Sequence, residues 1–368
     1  MNKRGSPEKG RQLVSGTKGL LKTLCFTMMS CALLVVSGCV QEPTEQASVK
    51  DYIWRLSNVL DYDYQIPPVN VAAYPRTRDL TLKVSDHSID LLDFLAMTGC
   101  QLQITAGQRN SGLGRVMSNS QSFLYQWRFI QESGACLAYL KDEDPTLYQT
   151  LAAVVEVKKA ELSRYAWLAL WGGPELKQYF GVSQQWLSPQ QPLALTPDTY
   201  NIVLDVIAMD ANALKDVALY ETAFEEALYE FQLMNTGGQW LATLAGLTQY
   251  LQLGTAMLTS ETAQRLCPKG KVTPKAKILK TVFDKFYIGQ VQPYLSFVHR
   301  NSETWWQQQT AMLEVFTFKG PEAFEQFVSK YLNQDRHDGL WQRYERAQRS
   351  HVVAWQSVLR QCGLMPGA

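Results

Sequence analysis

The sequence predicts an all-α protein, an irregular multi-helix bundle, on three observations. Apolar residues recur three and four positions apart through most of the chain, the pattern of a helix with one buried side. Segments open on Asp-Pro or Thr-Pro and close on paired glycines, the punctuation of helix ends. The strict alternation of a half-buried strand is almost absent, which places the chain among helix-on-helix architectures.

Taken in order, Val49 to Leu60 carries Ile53, Leu56 and Leu60 at helical spacing and predicts the first helix. Pro67, Pro68 and Pro75 make Gln65 to Asp79 an irregular surface stretch. Leu80, Leu82 and Val84 alternate with polar residues and predict one short strand. Helices are expected over Ser88–Met97, Gln121–Ile130 and Asp144–Leu170, the last with Asp144 as N-cap and Gly172-Gly173-Pro174 as stop. Gly181 to Thr196 reads as a long loop, and a division into two subdomains is expected there. From Pro197, Val203, Ile207, Leu214, Val217, Phe224, Leu228 and Phe231 form one long stripe, closed by Asn235 to Gly238. Gln239 to Leu258 follows within a run free of charge from Glu230 to Glu261; its glutamines and threonines favour a central core helix over a membrane span. Cys267 to Lys280 reads as a basic loop. Helices are then expected over Lys280–His299, Glu303–Phe316, Pro321–Leu332 and Asp338–Gln361.

Ahead of the bundle stands a leader. Lys3, Arg4, Lys9, Arg11, Lys18 and Lys22 form a basic region, and Thr23 to Val36 supplies fourteen uncharged residues. That run suits a signal peptide and falls short of the roughly 20 residues a spanning helix needs. It ends in Val36-Ser37-Gly38-Cys39, which resembles the lipobox of bacterial lipoproteins. The resemblance implies cleavage before Cys39, lipidation of that cysteine, and an anchor in the outer membrane facing the periplasm, since Val rather than Asp stands at position 40. The expected organisation is a signal peptide over 1–38, a flexible tether over 39–50 and a helical domain over 51–368.

Cleavage removes 38 of 368 residues, leaving 330, enough for a large core in one or two domains. The formal charge of +1 becomes about −4 once the leader's net +5 is gone, so no charge bias points to nucleic acid. Cys100, Cys136, Cys267 and Cys362 remain besides Cys39. An even count in an oxidising compartment predicts disulfides, with three pairings open. None of the four makes a CxxC or CxxH, and the four histidines are never at ligand spacing, so no metal and no cofactor are expected.

Local signatures of catalysis fail: there is no HExxH, no GxSxG and no SxxK. Three features stand out instead. Arg109, Asn110 and Ser111 precede Gly112, and Gly114 and Arg115 follow, a turn that reads as a helix C-cap followed by an N-cap with its arginines bonding carbonyls or acids of the fold, or else as backbone N–H groups and arginines able to hold an anion. Lys269, Lys271, Lys275, Lys277 and Lys280 cluster with no acid between them; this reads as a solvated loop, and beside a membrane it would favour anionic lipid or another envelope polymer. Trp305 and Trp306 are adjacent, with Trp341 and Trp355 nearby; as core they only pack, and exposed they would stack on sugars or a protein partner. Asp61 and Asp63 read as the solvated end of the first helix, with cation binding the alternative.

Leu91-Leu92-Asp93-Phe94-Leu95, then Gly99-Cys100, RNSGLGRVM and Ser120-Gln121, resemble an uncharacterised family of Gram-negative lipoproteins built on a domain of unknown function. In that family the two cysteines would bracket the RNS turn, as Cys100 and Cys136 do here. The pairing expected is Cys100 with Cys136 and Cys267 with Cys362, the second tying the lysine loop to the end of the last helix. The resemblance carries no activity. The expected role is a non-enzymatic envelope scaffold that binds a protein, lipid or cell-wall partner. The competing expectation is a periplasmic hydrolase acting on glycan or peptide, with carboxylates contributed by distant helices.

Overall fold

The structure, a computed structural model, describes residues 44–84, 97–112, 114–208 and 217–365. The leader, Cys39 and the helix expected over Ser88–Met97, apart from Met97 itself, lie outside the described residues. Helix α1 (Thr44–Leu60) buries Val49, Tyr52, Ile53, Leu56 and Leu60 on one side. It begins well inside the expected tether: Val49 packs into the core, so residues 44–50 belong to the domain. The stretch after it is irregular, as its prolines dictate. No strand occurs among the described residues; Leu80 instead closes a 3₁₀ turn, Thr77–Asp79, and is buried.

Helix α2 (Leu102–Asn110) leads through a turn into the antiparallel pair α3 (Asn119–Glu143) and α4 (Pro145–Leu170). Ser118 and Gln121 start α3 as a capping box, and the Asp144 carboxylate starts α4 by accepting from Thr146 N at 3.1 Å and Leu147 N at 3.0 Å. Cys100 is bonded to Cys136, with Cα atoms 5.2 Å apart, inside a small satellite core that includes Leu102, Phe129, Leu140 and Leu151. The pairing named from the family resemblance is therefore present, and so is Cys267–Cys362, with Cα atoms 5.3 Å apart.

Helix α5 (Pro174–Tyr179) precedes the segment 181–196, which is stitched into the main core rather than dividing it. Trp186, Leu187 and Leu195 are buried, Leu187 N donates to Thr243 Oγ1 at 2.9 Å, and Trp240 Nε1 donates to the Leu193 carbonyl at 3.1 Å. Residues 43–368 cluster as one compact unit. The long stripe from Pro197 is two helices, α6 (Pro197–Ala208) and α7 (Val217–Leu233), which pack on one another. The apolar period is shared by the two because both helices offer their apolar side to the same core.

Helix α8 (Thr236–Leu258) is the uncharged centre of the fold. Most of its residues are buried all round, which accounts for the absence of charge there. No helix among the described residues is long and apolar enough to cross a membrane. Gly238 lets α8 touch the 181–196 segment: a Cβ there would sit 1.8 Å from the Gly181 carbonyl oxygen. A short helix, α9 (Glu261–Gln264), follows, and the basic stretch becomes a 3₁₀ turn, Pro268–Gly270, and then a helix, α10 (Pro274–Thr281), capped by Thr273. Thus the expected loop is helical from Pro274. Helix α10 runs on through a π-helical stretch, Val282–Val291, into α11 (Gln292–Glu314), with no break at 299–303. Helix α12 (Glu322–Phe327) and a second π-helical stretch precede the last helix, α13 (Leu340–Gln361). Helices α1 and α13 both lie on α8.

Trp305, Trp306, Trp341 and Trp355 are all buried, and Trp305 stacks on Trp240 with centroids 5.4 Å apart. They form core, not a sugar platform.

Candidate functional site

The turn after α2 is closed by its own polar groups. Ser111 Oγ donates to the Gln108 carbonyl at 2.7 Å and accepts from Gly114 N at 3.1 Å. Arg109 Nη1 donates to the Gly114 carbonyl, so its guanidinium is engaged in the turn. A Cβ at Gly114 would lie 2.2 Å from the Arg109 carbonyl oxygen, so only glycine admits this closure. The side chains of Asn110 and Arg115 lie outside the described residues.

This turn forms one wall of a cleft of about 680 Å³. Helix α3 supplies the floor, Leu124 and Tyr125, with Gln121 and Arg128 at the sides. Helix α7 supplies the far wall, Glu221, Thr222, Glu225 and Glu226. Arg128 spans the two: its Nε donates to Glu221 Oε1 at 3.0 Å and its Nη1 to Gln108 Oε1 at 3.1 Å. Beneath the floor the buried Lys158 donates to Gln126 Oε1 at 2.7 Å and lies 4.7 Å from the centre of the Phe129 ring. The Cys100–Cys136 bond fixes the start of α2 to the middle of α3, which holds the turn over the cleft.

Among the described side chains that line the cleft, three glutamates face one arginine. Glu221 is answered by Arg128. Glu225 is not; its Oε1 is shielded from solvent and accepts no hydrogen bond. Burial first, and then the negative charge of Glu225, push the carboxyl of neighbouring Glu175 above its ordinary range. The arrangement therefore offers a fixed acceptor to a ligand that brings N–H or O–H groups, above an apolar floor.

The lysine cluster lies elsewhere. Lys275 pairs with Asp61, far earlier in the chain, and Lys280 reaches Asp284 Oδ2, one helical turn on, at 2.6 Å, so two of the five are answered. Lys269, Lys271 and Lys277 are exposed. Asp61, at φ 47° after α1, is a lysine partner, and no cluster of metal-binding side chains occurs among the described residues.

The near wall of the cleft is legible in the sequence, and its far wall is not. Arg128 sits within an ordinary helix, and Glu221, Glu225 and Glu226 sit inside an apolar stripe. The one local sign was spacing: Glu221 and Glu225, four apart, project from the same side of α7.

No curated protein and no solved structure matches the chain. A family profile described as "Protein of unknown function (DUF3080)" matches residues 49–366, from within α1 to just past α13. That span takes in both disulfides, both walls of the cleft and the central helix α8, and the chain therefore belongs to the DUF3080 family.

Proposed function

We propose that the chain is a lipoprotein of the Gram-negative envelope, anchored through Cys39 in the outer membrane and facing the periplasm. There its cleft binds a partner without transforming it. The lipobox at 36–39 supports the anchor. Two disulfides that each join distant parts of the fold support an oxidising compartment. The observation that carries the binding reading is the cleft between the turn, α3 and α7, with its buried, unpartnered Glu225 oxygen. An acceptor left empty in this way is costly unless something fills it. The partner is a molecule of the envelope that offers hydrogen-bond donors, such as a peptide, a glycan or the wall polymer itself.

A photo-crosslinking residue at Thr222, on the far wall, tests this in living cells. Adducts of defined mass are expected from that site, lost on Glu225→Gln in a protein of unchanged melting temperature. Adducts that are the same with and without Glu225→Gln would refute the cleft as the binding site.

One observation favours the hydrolase reading: burial, and then the charge of nearby Glu225, raise the Glu175 carboxyl above its ordinary range, the direction a general acid requires. Under that reading the purified protein cleaves wall glycan or peptide, and Glu175→Gln abolishes cleavage. An intact substrate after prolonged incubation removes it.

A further inference from the structure

We propose that the outer side of the layer formed by α1 and α10, with its π-helical continuation, rests on the surface of the bilayer as an interfacial face for anionic phospholipid. This inference rests on the anchor at Cys39 proposed above.

The first argument is reach. Helix α1 begins at Thr44, so from a lipidated Cys39 the chain spans at most about 18 Å however it is extended. An anchor this short holds the start of α1 near the headgroups.

The second argument is the composition of the layer. Helix α1 runs antiparallel to α10 and its continuation: Asp61 pairs with Lys275, Arg55 lies 4.0 Å from the Phe286 ring centre, and the Tyr52 and Tyr287 rings are 5.6 Å apart. Tyr52, Ile53, Leu56, Leu279, Val282 and Phe283 face inward and are buried. On the outward side Trp54 is 53% exposed, Ile278 56% and Ile288 39%. The chain has ten tryptophans, and the other nine are buried, so Trp54 is singular. Tryptophan is the side chain best suited to the headgroup level, with an apolar ring and one polar edge.

The third argument is charge. Lys277 and Lys285 are exposed on the same two helical stretches, with Lys269 and Lys271 just before them, and none of the four has an ion pair among the described residues. Basic residues around exposed Trp and Ile are the composition of an interfacial surface that prefers anionic lipid. Helix α7 provides the contrast. Its exposed Leu219, Tyr229 and Leu233 stand among Glu221, Glu226 and Glu230 with no lysine or arginine, so an anionic membrane would repel it.

The test uses the acylated mature protein in vesicles of phosphatidylethanolamine and phosphatidylglycerol. A nitroxide is attached at Asn58→Cys, one turn beyond Trp54, or at Tyr229→Cys on α7. Disulfides occupy the four other cysteines of the domain, so each label is unique. Collisions with a water-soluble nickel chelate are expected to fall several-fold at position 58 relative to 229. Trp54→Ser combined with glutamine at Lys269, Lys271, Lys277 and Lys285 should restore them. Equal accessibility at 58 and 229, with an acylated N-terminus seen in the intact mass, overturns the face while leaving the anchor. Protection of position 58 in vesicle-free Cys39→Ser protein means that a protein surface or a second copy covers it, and also overturns the proposal. A mature N-terminus without acyl chains removes the anchor, and the inference with it.

Discussion

His351 makes stability depend on pH, with a size that follows from its surroundings. It lies fully buried on α13, and burial lowers its pKa to about 3. The Tyr52 hydroxyl accepts from Trp355 Nε1 at 2.9 Å and meets His351 Nε2 at 2.7 Å, so the neutral ring fits as an acceptor. The groups around it are Tyr52 on α1, Tyr287 on the π-helical stretch, Thr255 and Gly254 on α8, and Trp355 on α13. The two phenols are pushed upward by burial, Tyr287 to about 12, so neither titrates between pH 5 and 8. In the unfolded chain the imidazole titrates near its ordinary value of about 6.5. The folded pKa is thus depressed, and the unfolded state binds the extra proton between these two values. The stability contributed by a neutral His351 is complete above about pH 6.5 and is lost as pH falls toward 3. At pH 5 the loss amounts to about 2 kcal/mol, rising to about 5 kcal/mol below pH 3. Urea unfolding of the native protein and of His351→Gln at pH 8 and pH 5 measures it. Native protein is expected to lose about 2 kcal/mol more than the variant over that interval. Parallel pH profiles for the two proteins would refute the reasoning.

Two other outcomes are open to the same assay. Gly238→Ala should cost about 3 kcal/mol, because a Cβ 1.8 Å from the Gly181 carbonyl must push α8 off the 181–196 segment; an unchanged urea midpoint would show that the segment yields freely. Replacing both Cys267 and Cys362 by serine opens a loop with a sequence separation of 95 and should cost about 5 kcal/mol on chain entropy, against about 4 kcal/mol for the Cys100–Cys136 pair with its separation of 36. A larger loss for the Cys100–Cys136 pair would contradict that ordering.

What the sequence announced in advance was whatever depends on near neighbours. Asp144 and Pro145 mark the start of α4 because capping needs only adjacent backbone N–H groups. The glycines of the 111–114 turn mark one wall of the cleft, since Gly114 must pass close to a carbonyl five residues back. What escaped depends on distance along the chain. Glu221 and Glu225 become a wall only when α7 is laid beside α3, and nothing local distinguishes them from solvated helix acids. That α6 and α7 are two helices packed on one another is hidden by an apolar period that continues from one to the other. Residues 44–50 read as a tether because Ala47 and Val49 alone give too few points to define a stripe. The lysines look unopposed because Asp61, the partner of Lys275, stands more than two hundred residues earlier.

The Tyr52 hydroxyl has further meaning for the order in which the protein assembles. Its two partners, His351 and Trp355, follow it by 299 and 303 residues. Helix α1, the first among the described residues, therefore waits for α13 before its buried oxygen is satisfied. Contacts of such separation close slowly, because a long loop must be ordered before they return any stability. Under the envelope location proposed above, a chain exported unfolded would meet this condition, since α1 has no completed partner until the C-terminus has followed it across. A chain stopped short of α13 would leave Tyr52 and the α13-facing side of α8 open to solvent, and so marked for proteolysis.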